Sequence, residues 1–280
     1  MAALAADDLG GARRSAAEAA DLGSVLGREL RDHLALEACY GSVYDEPSAF
    51  ARFIRGGGNI GLYSATSFAL ATVYDDRSID TLVDLGCGDG AAVAPALRIA
   101  VAPPTTVDLV EPSAELLDKA VEAVSTSGAS VTANRSTAEQ LVASLTDERW
   151  DLLESTFTLH AIEPSERTRV LRALRTHVGA MAIVEFDVPD LDHASPEHLR
   201  SLAARYERGL GEYGDDAPLV AQGFLMSVLV GQLAPSAPRA TWEQPAARWV
   251  DQLRSAGFGT VEQRPVADYW WSPAVLFLPA

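Results

Sequence analysis

Basic residues are scarce in this chain: 22 Lys and Arg stand against 39 Asp and Glu in 280 residues, a formal charge of −17. A surface that tracks a phosphate backbone needs clustered cations, so the balance excludes nucleic acid as a partner. Cysteine is nearly absent. Cys39 and Cys87 alone give no disulfide framework and no metal-ligand spacing, and no metal site is expected. The first 23 residues also lack an uninterrupted apolar run, because Asp7, Asp8, Arg13, Arg14 and Glu18 break up the alanines. The stretch from Leu219 to Leu233 is apolar on nearly every side, but Gln222, Gly223, Ser227, Gly231 and Gln232 favour a buried helix over a membrane span. The reading is a soluble, cytoplasmic protein without a membrane partner. Hydrophobic residues make up 48% of the chain, enough for a full core and one elaborated α/β domain.

The most informative stretch is Thr81-Leu-Val-Asp84-Leu-Gly86-Cys87-Gly88-Asp89-Gly90. A short apolar run passes into a glycine loop, and the Ala/Leu-rich segment from Ala91 to Ala102 reads as a helix: strand, tight turn, helix. Glycines permit positive φ and let a ligand lie against the backbone. The dinucleotide fingerprint wants glycines at relative positions one, three and six; here the third comes at position five and Ala91 holds the sixth. Asp84, two residues before the first glycine, would repel a phosphate but suits a cationic ligand.

Further strands are expected at Thr105–Val110, Val131–Asn134, from Ala180, and as a closing pair at Thr260–Pro265 and Pro273–Leu278. Helices are expected from Leu22 to Tyr44, from Ile60 to about Tyr74, over 165–177, from Pro196 to about Glu212, from Leu219 to Leu233, and from Trp249 to a glycine stop at Gly257. Arg167, Arg169, Arg172 and Arg175 read as the solvated face of an amphipathic helix. Three consecutive glycines, Gly56 to Gly58, are costly to order, so the segment is either mobile or brings its backbone close to a ligand. Asn59 suits a helix cap, and a helix start beside Arg55 is good company for a carboxylate. Glu111 ends the second strand 21 residues past Gly90, near the spacing for ribose recognition. Glu154 is a charge in a strand that should be buried, and it needs a partner, either a cationic ligand or a neighbouring segment. Asp187, Asp190, Asp192 and His193 fix no common ligand face for a metal.

Val83-Asp-Leu-Gly86-Cys-Gly88-Asp-Gly90 resembles the first motif of class I S-adenosylmethionine-dependent methyltransferases, a resemblance that covers roughly residues 40–280 and is strongest over 81–187. It implies a Rossmann-like seven-stranded sheet with its fourth strand from Trp150 and its last strand antiparallel, an N-terminal helical lid over 23–75, and a methyltransferase domain over 76–280 with a helical insertion at 195–235; ahead of these, the Ala-rich composition of 1–22 with Gly10 and Gly11 reads as a flexible extension, a frayed helix or disordered chain. The cofactor implied is S-adenosyl-L-methionine. The residues implied to hold it are Arg55, Asn59, Tyr63, Asp84, Gly86, Cys87, Gly88, Glu111, Pro112, Thr137, Ala138, Glu139 and Ser155. In many relatives an acid stands where this chain has Thr137. His160, in the loop after the fourth strand, is the implied proton acceptor, with Tyr44 as a second catalytic candidate. Tyr40, Glu185, Asp187, Trp270 and Trp271 are the implied substrate contacts, the insertion roofing the pocket. Tyr40 with Tyr44, and the Tyr269-Trp270-Trp271 run, read equally as core packing. The Gly56–Tyr63 stretch, Thr158-Leu-His160-Ala-Ile162 and Asp268–Trp271 together resemble actinobacterial small-molecule enzymes, including the group that methylates indole C3. A small aromatic acceptor is therefore expected. O- or N-methylation and a non-catalytic, cofactor-binding partner subunit stay open, as do monomer and homodimer.

Overall fold

The computed structural model describes residues 1–36, 47–237 and 239–280. Tyr40 and Tyr44 lie outside the described residues. In chain order the elements are α1 (Ala2–Ala5), α2 (Leu9–Asp21), α3 (Val25–Leu34), α4 (Pro47–Arg55), α5 (Asn59–Arg77), β1 (Thr81–Leu85), α6 (Val93–Ile99), β2 (Thr106–Val110), α7 (Ala114–Ser125), β3 (Ser130–Asn134), α8 (Ala138–Ser144), β4 (Trp150–Thr156), α9 (Pro164–Leu174), β5 (Val178–Phe186), α10 (Pro196–Leu210), α11 (Ala217–Val220), α12 (Met226–Leu233), α13 (Ala246–Ser255), β6 (Val261–Ala267) and β7 (Ala274–Pro279). They divide into two compact units: Met1–Ile60 with Pro189–Trp242 and Tyr269–Trp271, and Gly61–Val188 with Glu243–Asp268 and Ser272–Ala280.

The first unit is helical. Residues 1–22, expected as a flexible extension, form α1 and α2 instead, because Leu4, Ala12 and Ala16 are buried and Asp8 caps α2 by accepting from Gly11 N–H. The start of α3 is held from far along the chain: the Glu207 carboxylate accepts from Val25 N–H at 2.7 Å and Leu26 N–H at 2.8 Å. An anion there satisfies two orphan donors and complements the helix dipole. The second insertion helix starts earlier than expected, at Gly214, and contains a π segment, Ala221–Leu225, between α11 and α12. It has the length and composition of a membrane-crossing helix, and Val220, Leu225, Met226, Leu229 and Leu233 are buried in this unit.

The triple glycine also belongs here. Added Cβ atoms would stand 3.2 Å and 3.1 Å from the Tyr213 ring at Gly56 and Gly57, and 3.1 Å from the Tyr269 ring at Gly58; Gly57 has φ +50°. Two tyrosine rings, each 7% exposed or less, together with Arg52 O at 2.8 Å from the Gly56 position and Glu212 Oε2 at 2.5 Å from that of Gly58, account for the segment's composition.

The second unit is built on a seven-stranded sheet in the order β3-β2-β1-β4-β5-β7-β6, parallel except for β7, which runs antiparallel to β5 and β6. On one face Val83, Leu85, Leu153, Met181 and Ile183 pack with residues of α8, α9 and α13 in a single core. Successive strand residues alternate in direction, so Asp84 and its cross-strand neighbour Glu154 occupy the other face, toward Tyr74 of α5. Arg167, expected in solvent, is fully buried. Its guanidinium lies 4.4 Å from the centre of the Trp249 ring and donates to Ile162 O and Gln252 Oε1, which replaces the water it has lost.

Candidate active site

Between β1 and β4 the strand order reverses, and the carboxyl ends of the strands diverge there, where ligands bind in open α/β sheets. The loop leaving β1 is tied to β2 by Gly86 N–H and Cys87 N–H, both donating to Val110 O. Gly86, Gly88 and Gly90 have φ of +74°, +55° and +78°. Their roles differ. A Cβ at Gly86 would stand 2.1 Å from Thr158 Cγ2, whereas at Gly88 nothing lies within 4 Å. The close approach at Gly86 is made by the protein's own β4 exit loop, and only Gly88 opens onto free space. Thr158, absent from the sequence-derived site, also donates its hydroxyl to Gly86 O at 3.0 Å.

Glu111 sits beside that opening. Its carboxylate accepts from Gly88 N–H at 3.3 Å and Ser113 N–H at 2.9 Å, and burial raises its pKa against the pull of those two bonds. Held at the strand end with lone pairs to spare, it can accept from vicinal hydroxyls. Asp84 is 1% exposed, and its Oδ1 has no hydrogen bond among the described residues. Burial and the negative Glu111 push Asp84 up to about 8. An orphaned, buried acid beside a loop with room for a ligand is what a cationic group would complete. Cys87 is buried, and burial together with Asp84 and Glu111 pushes its thiol up, so it stays neutral.

Several expected cofactor residues have work within the fold. Thr137 is the N-cap of α8: its hydroxyl accepts from Gln140 N–H at 3.2 Å, and the Gln140 side chain accepts from Thr137 N–H at 2.9 Å. This capping box, Thr137-x-x-Gln140, was legible in the sequence. The box occupies the Thr137 backbone donor. Ala138 packs into the core, Glu139 lies in the first turn of α8, and Pro112 is exposed with its carbonyl accepting from Arg135. Ser155 is fully buried and donates to Leu85 O at 3.0 Å. In the helical unit, Arg55 is exposed and Asn59 donates to Phe53 O at 2.7 Å and Tyr213 Oη at 3.0 Å.

A second group of side chains gathers around the exit of β4. His160 lies in a 3-10 turn, Leu159–Ala161, and is clamped by Glu185 of β5: Nδ1 stands 2.8 Å from Oε2, and the His160 backbone N–H donates to Oε1 at 3.0 Å. Burial works against a charged ring, but the charge and hydrogen bond of Glu185 outweigh it and raise the His160 pKa. The imidazole side chain is 15% exposed and the Glu185 side chain 1%, so Glu185, expected to touch substrate, instead orients the histidine. With Nδ1–H donated to the carboxylate, Nε2 is left as the proton acceptor; it makes no hydrogen bond among the described residues. Asp187, also expected as a substrate contact, accepts from Ala246 N–H at 2.7 Å at the start of α13.

Aromatic rings border the dyad. Phe157 stacks on Phe186 at 4.6 Å and meets Tyr63 edge-on at 5.8 Å, and Phe186 lies 6.3 Å from the His160 ring. Phe157 adopts φ +53°, a left-handed conformation that is strained for a residue with a Cβ and that concentrates at functional sites. Sequence alone gave no sign of that strain. Trp270 and Trp271, by contrast, are 4% and 8% exposed within the helical unit. Tyr206 lies 6.1 Å and 5.6 Å from them, and the Arg205 guanidinium is 4.1 Å from the Trp271 ring centre, so the core-packing alternative describes their surroundings.

Residues 82–179 match the family model of a methyltransferase domain. No curated protein matches the chain in sequence. Among solved structures, the chain is similar to mitomycin 7-O-methyltransferase (TM-score 0.54, 16% identity), covering 85% of this chain and 59% of that one. It is likewise similar to magnesium protoporphyrin IX methyltransferase from Synechocystis PCC 6803 with bound SAH (TM-score 0.55, 15% identity), covering 84% of this chain and 95% of that one. These likenesses show the fold: a Rossmann-like class I methyltransferase sheet, as the loop motif implied. The family match places a methyltransferase-domain likeness over residues 82–179 of that sheet, and the magnesium protoporphyrin IX methyltransferase that shares the fold holds SAH, the demethylated form of S-adenosylmethionine. The residues around the loop fit that cofactor: open space at Gly88, a strand-end carboxylate at Glu111, and an orphaned acid at Asp84.

Proposed function

We propose that this chain transfers a methyl group from S-adenosylmethionine to a hydroxyl of a small aromatic molecule, with His160 as general base. The observation that carries the reading is the His160–Glu185 dyad, which suits an acceptor that must lose a proton as it is methylated. Bound at the loop, the cofactor supplies an electrophilic methyl on a positively charged sulfur. Glu111 would accept from its ribose hydroxyls, Gly88 would leave room for it against the backbone, and Asp84 would face its ammonium group. His160 Nε2 takes the acceptor's proton, and Glu185 holds the ring in the required tautomer and stabilises the imidazolium that forms. Phe157, Phe186 and Tyr63 provide aromatic surface for a flat acceptor.

An indole methylated at C3 is the second reading, favoured by the same rings and by the same base, which would remove the ring proton after transfer. The acidic balance of the chain supports an acceptor other than nucleic acid. The test is an acceptor screen, with phenols and indoles side by side, read as a mass gain of one methyl and mapped to O, N or C by NMR. O-methyl products that fall away in His160→Ala support the first reading. C3-methylated indole as the sole product replaces it, and cofactor binding with no turnover of any acceptor points to a non-catalytic partner subunit.

A further inference from the structure

Behind the glycine loop lie two carboxyls that the proposed reaction does not use as bases. Asp84 and Glu154 are direct cross-strand neighbours in β1 and β4 and share a face of the sheet. They are 1% and 0% exposed. Tyr74 Oη donates to Glu154 Oε2 at 2.5 Å, but Glu154 Oε1 and Asp84 Oδ1 have no hydrogen bond among the described residues. Thr66, two turns before Tyr74 on the same face of α5, is a third fully buried group whose oxygen has no partner. The groups facing the pair are Tyr74 from α5, Glu111 from the end of β2 and the neutral Cys87 thiol from the loop. Among the described residues neither carboxyl has an ion pair.

Two adjacent buried carboxylates cannot both ionise without a cation, since like charges in a low-dielectric site repel strongly. At least one proton must reside on the pair when no ligand is present. The orphaned carboxyl oxygens of Asp84 and Glu154, on the two strands that lead into the site, indicate what is missing: a donor-rich cation. We propose that Asp84 and Glu154 each hold a proton until the cofactor's ammonium group arrives, Asp84 then releasing its own to solvent while Glu154 stays neutral. The inference rests on the cofactor reading of the loop. No bond to carbon changes: the Asp84 carboxylic acid becomes a carboxylate paired with the ammonium, and one proton leaves to the buffer. Glu154 is assigned the neutral role because it is fully buried with Asp84 beside it, both of which push its pKa up, whereas Asp84 stands two residues before Gly86 and the loop. Cofactor affinity then depends on pH, rising as the proton becomes easier to lose.

The experiment is calorimetric titration of the full-length protein with S-adenosylhomocysteine, which keeps the ammonium but lacks the sulfonium charge, in two buffers of different ionisation enthalpy. At about pH 6.5 close to one proton is expected to leave per ligand bound, with affinity rising nearly tenfold per pH unit and flattening above about 8. Methylthioadenosine, which has no amino-acid tail, should release close to none. Asp84→Asn should bind S-adenosylhomocysteine more weakly and without proton release. Glu154→Gln, the isostere of a protonated carboxyl, should keep the release. Binding of S-adenosylhomocysteine with no proton release overturns the proposal and leaves the cofactor site standing; no binding at all overturns the cofactor reading itself. Equal release with methylthioadenosine, or release that survives Asp84→Asn, places the proton elsewhere and overturns the assignment. Both measurements on the unaltered protein decide the matter even where a variant does not fold.

Discussion

Gly86→Ala and Gly88→Ala, two residues apart in one loop, should fail in different ways. At Gly86 the new methyl carbon would stand 2.1 Å from Thr158 Cγ2 and 2.8 Å from Thr158 Cβ, at φ +74°. The left-handed backbone costs an alanine about 1–2 kcal/mol, and forcing the loops apart costs about 1–3 kcal/mol more, a total on the order of 2–5 kcal/mol of stability. At Gly88 the methyl meets nothing within 4 Å, so only the backbone penalty at φ +55° remains, about 1–2 kcal/mol. It would, however, project into the space proposed for the cofactor. Urea unfolding and calorimetric titration with S-adenosylhomocysteine, run on both variants, separate the two effects. The first should lose stability most and the second affinity most. Adding Thr158→Ala to Gly86→Ala removes the Cγ2 and Oγ1 contacts but leaves Cβ at 2.8 Å, so it should recover part of the steric cost, a coupling of about 1–2 kcal/mol. If the two alanines destabilise equally, or Thr158→Ala recovers nothing, the assignment of Gly86 to internal packing is wrong.

His160→Ala should lower turnover of the true acceptor by roughly 10²-fold or more with S-adenosylhomocysteine affinity nearly intact, which single-turnover assays and calorimetry check together. Glu185→Gln removes the charge that raises the His160 pKa, so the acid limb of the pH–rate profile should move to lower pH while the plateau falls. Thr137→Ala breaks the capping box and should cost about 1 kcal/mol in urea unfolding. Because the Asp84 pKa is raised in the folded protein, its contribution to stability is full below the unfolded value and is lost as pH rises toward about 8. The melting temperature of the ligand-free protein should therefore fall over that range, and Asp84→Asn should flatten the decline.

The sheet was legible because its signals are local. Apolar runs, and for the fourth strand the family resemblance, placed every strand of the seven-stranded sheet within a few residues of its position, and the glycine spacing with Asp84 and Glu111 marked the loop and strand end. What stayed hidden depended on which distant group approaches which. Arg167 has the helical phase of a solvated residue, and only the Trp249 ring and the Ile162 carbonyl make its burial affordable. Gly56, Gly57 and Gly58 suggested a ligand, yet the flat surfaces against them are Tyr213 and Tyr269, more than 150 residues away. Glu185 and Asp187 looked like paired pocket acids at a strand end. Their partners, a turn at His160 and the first N–H of α13, come from segments whose packing no periodicity reports.

The helical unit is assembled from three separated stretches of chain, and α3 receives its carboxylate from Glu207. During synthesis at about 5–20 residues per second, Leu26, Leu30 and Leu34 would wait on the order of ten to thirty seconds before Glu207 and α10 emerge. Through that interval the nascent amino-terminal helices have a greasy stripe and no finished neighbour, while the parallel strands are still being made. Ribosome-associated chaperones would meet α3 before its partner exists, and a stall between residues 60 and 189 would leave on the ribosome a fragment whose helices have nothing to close upon.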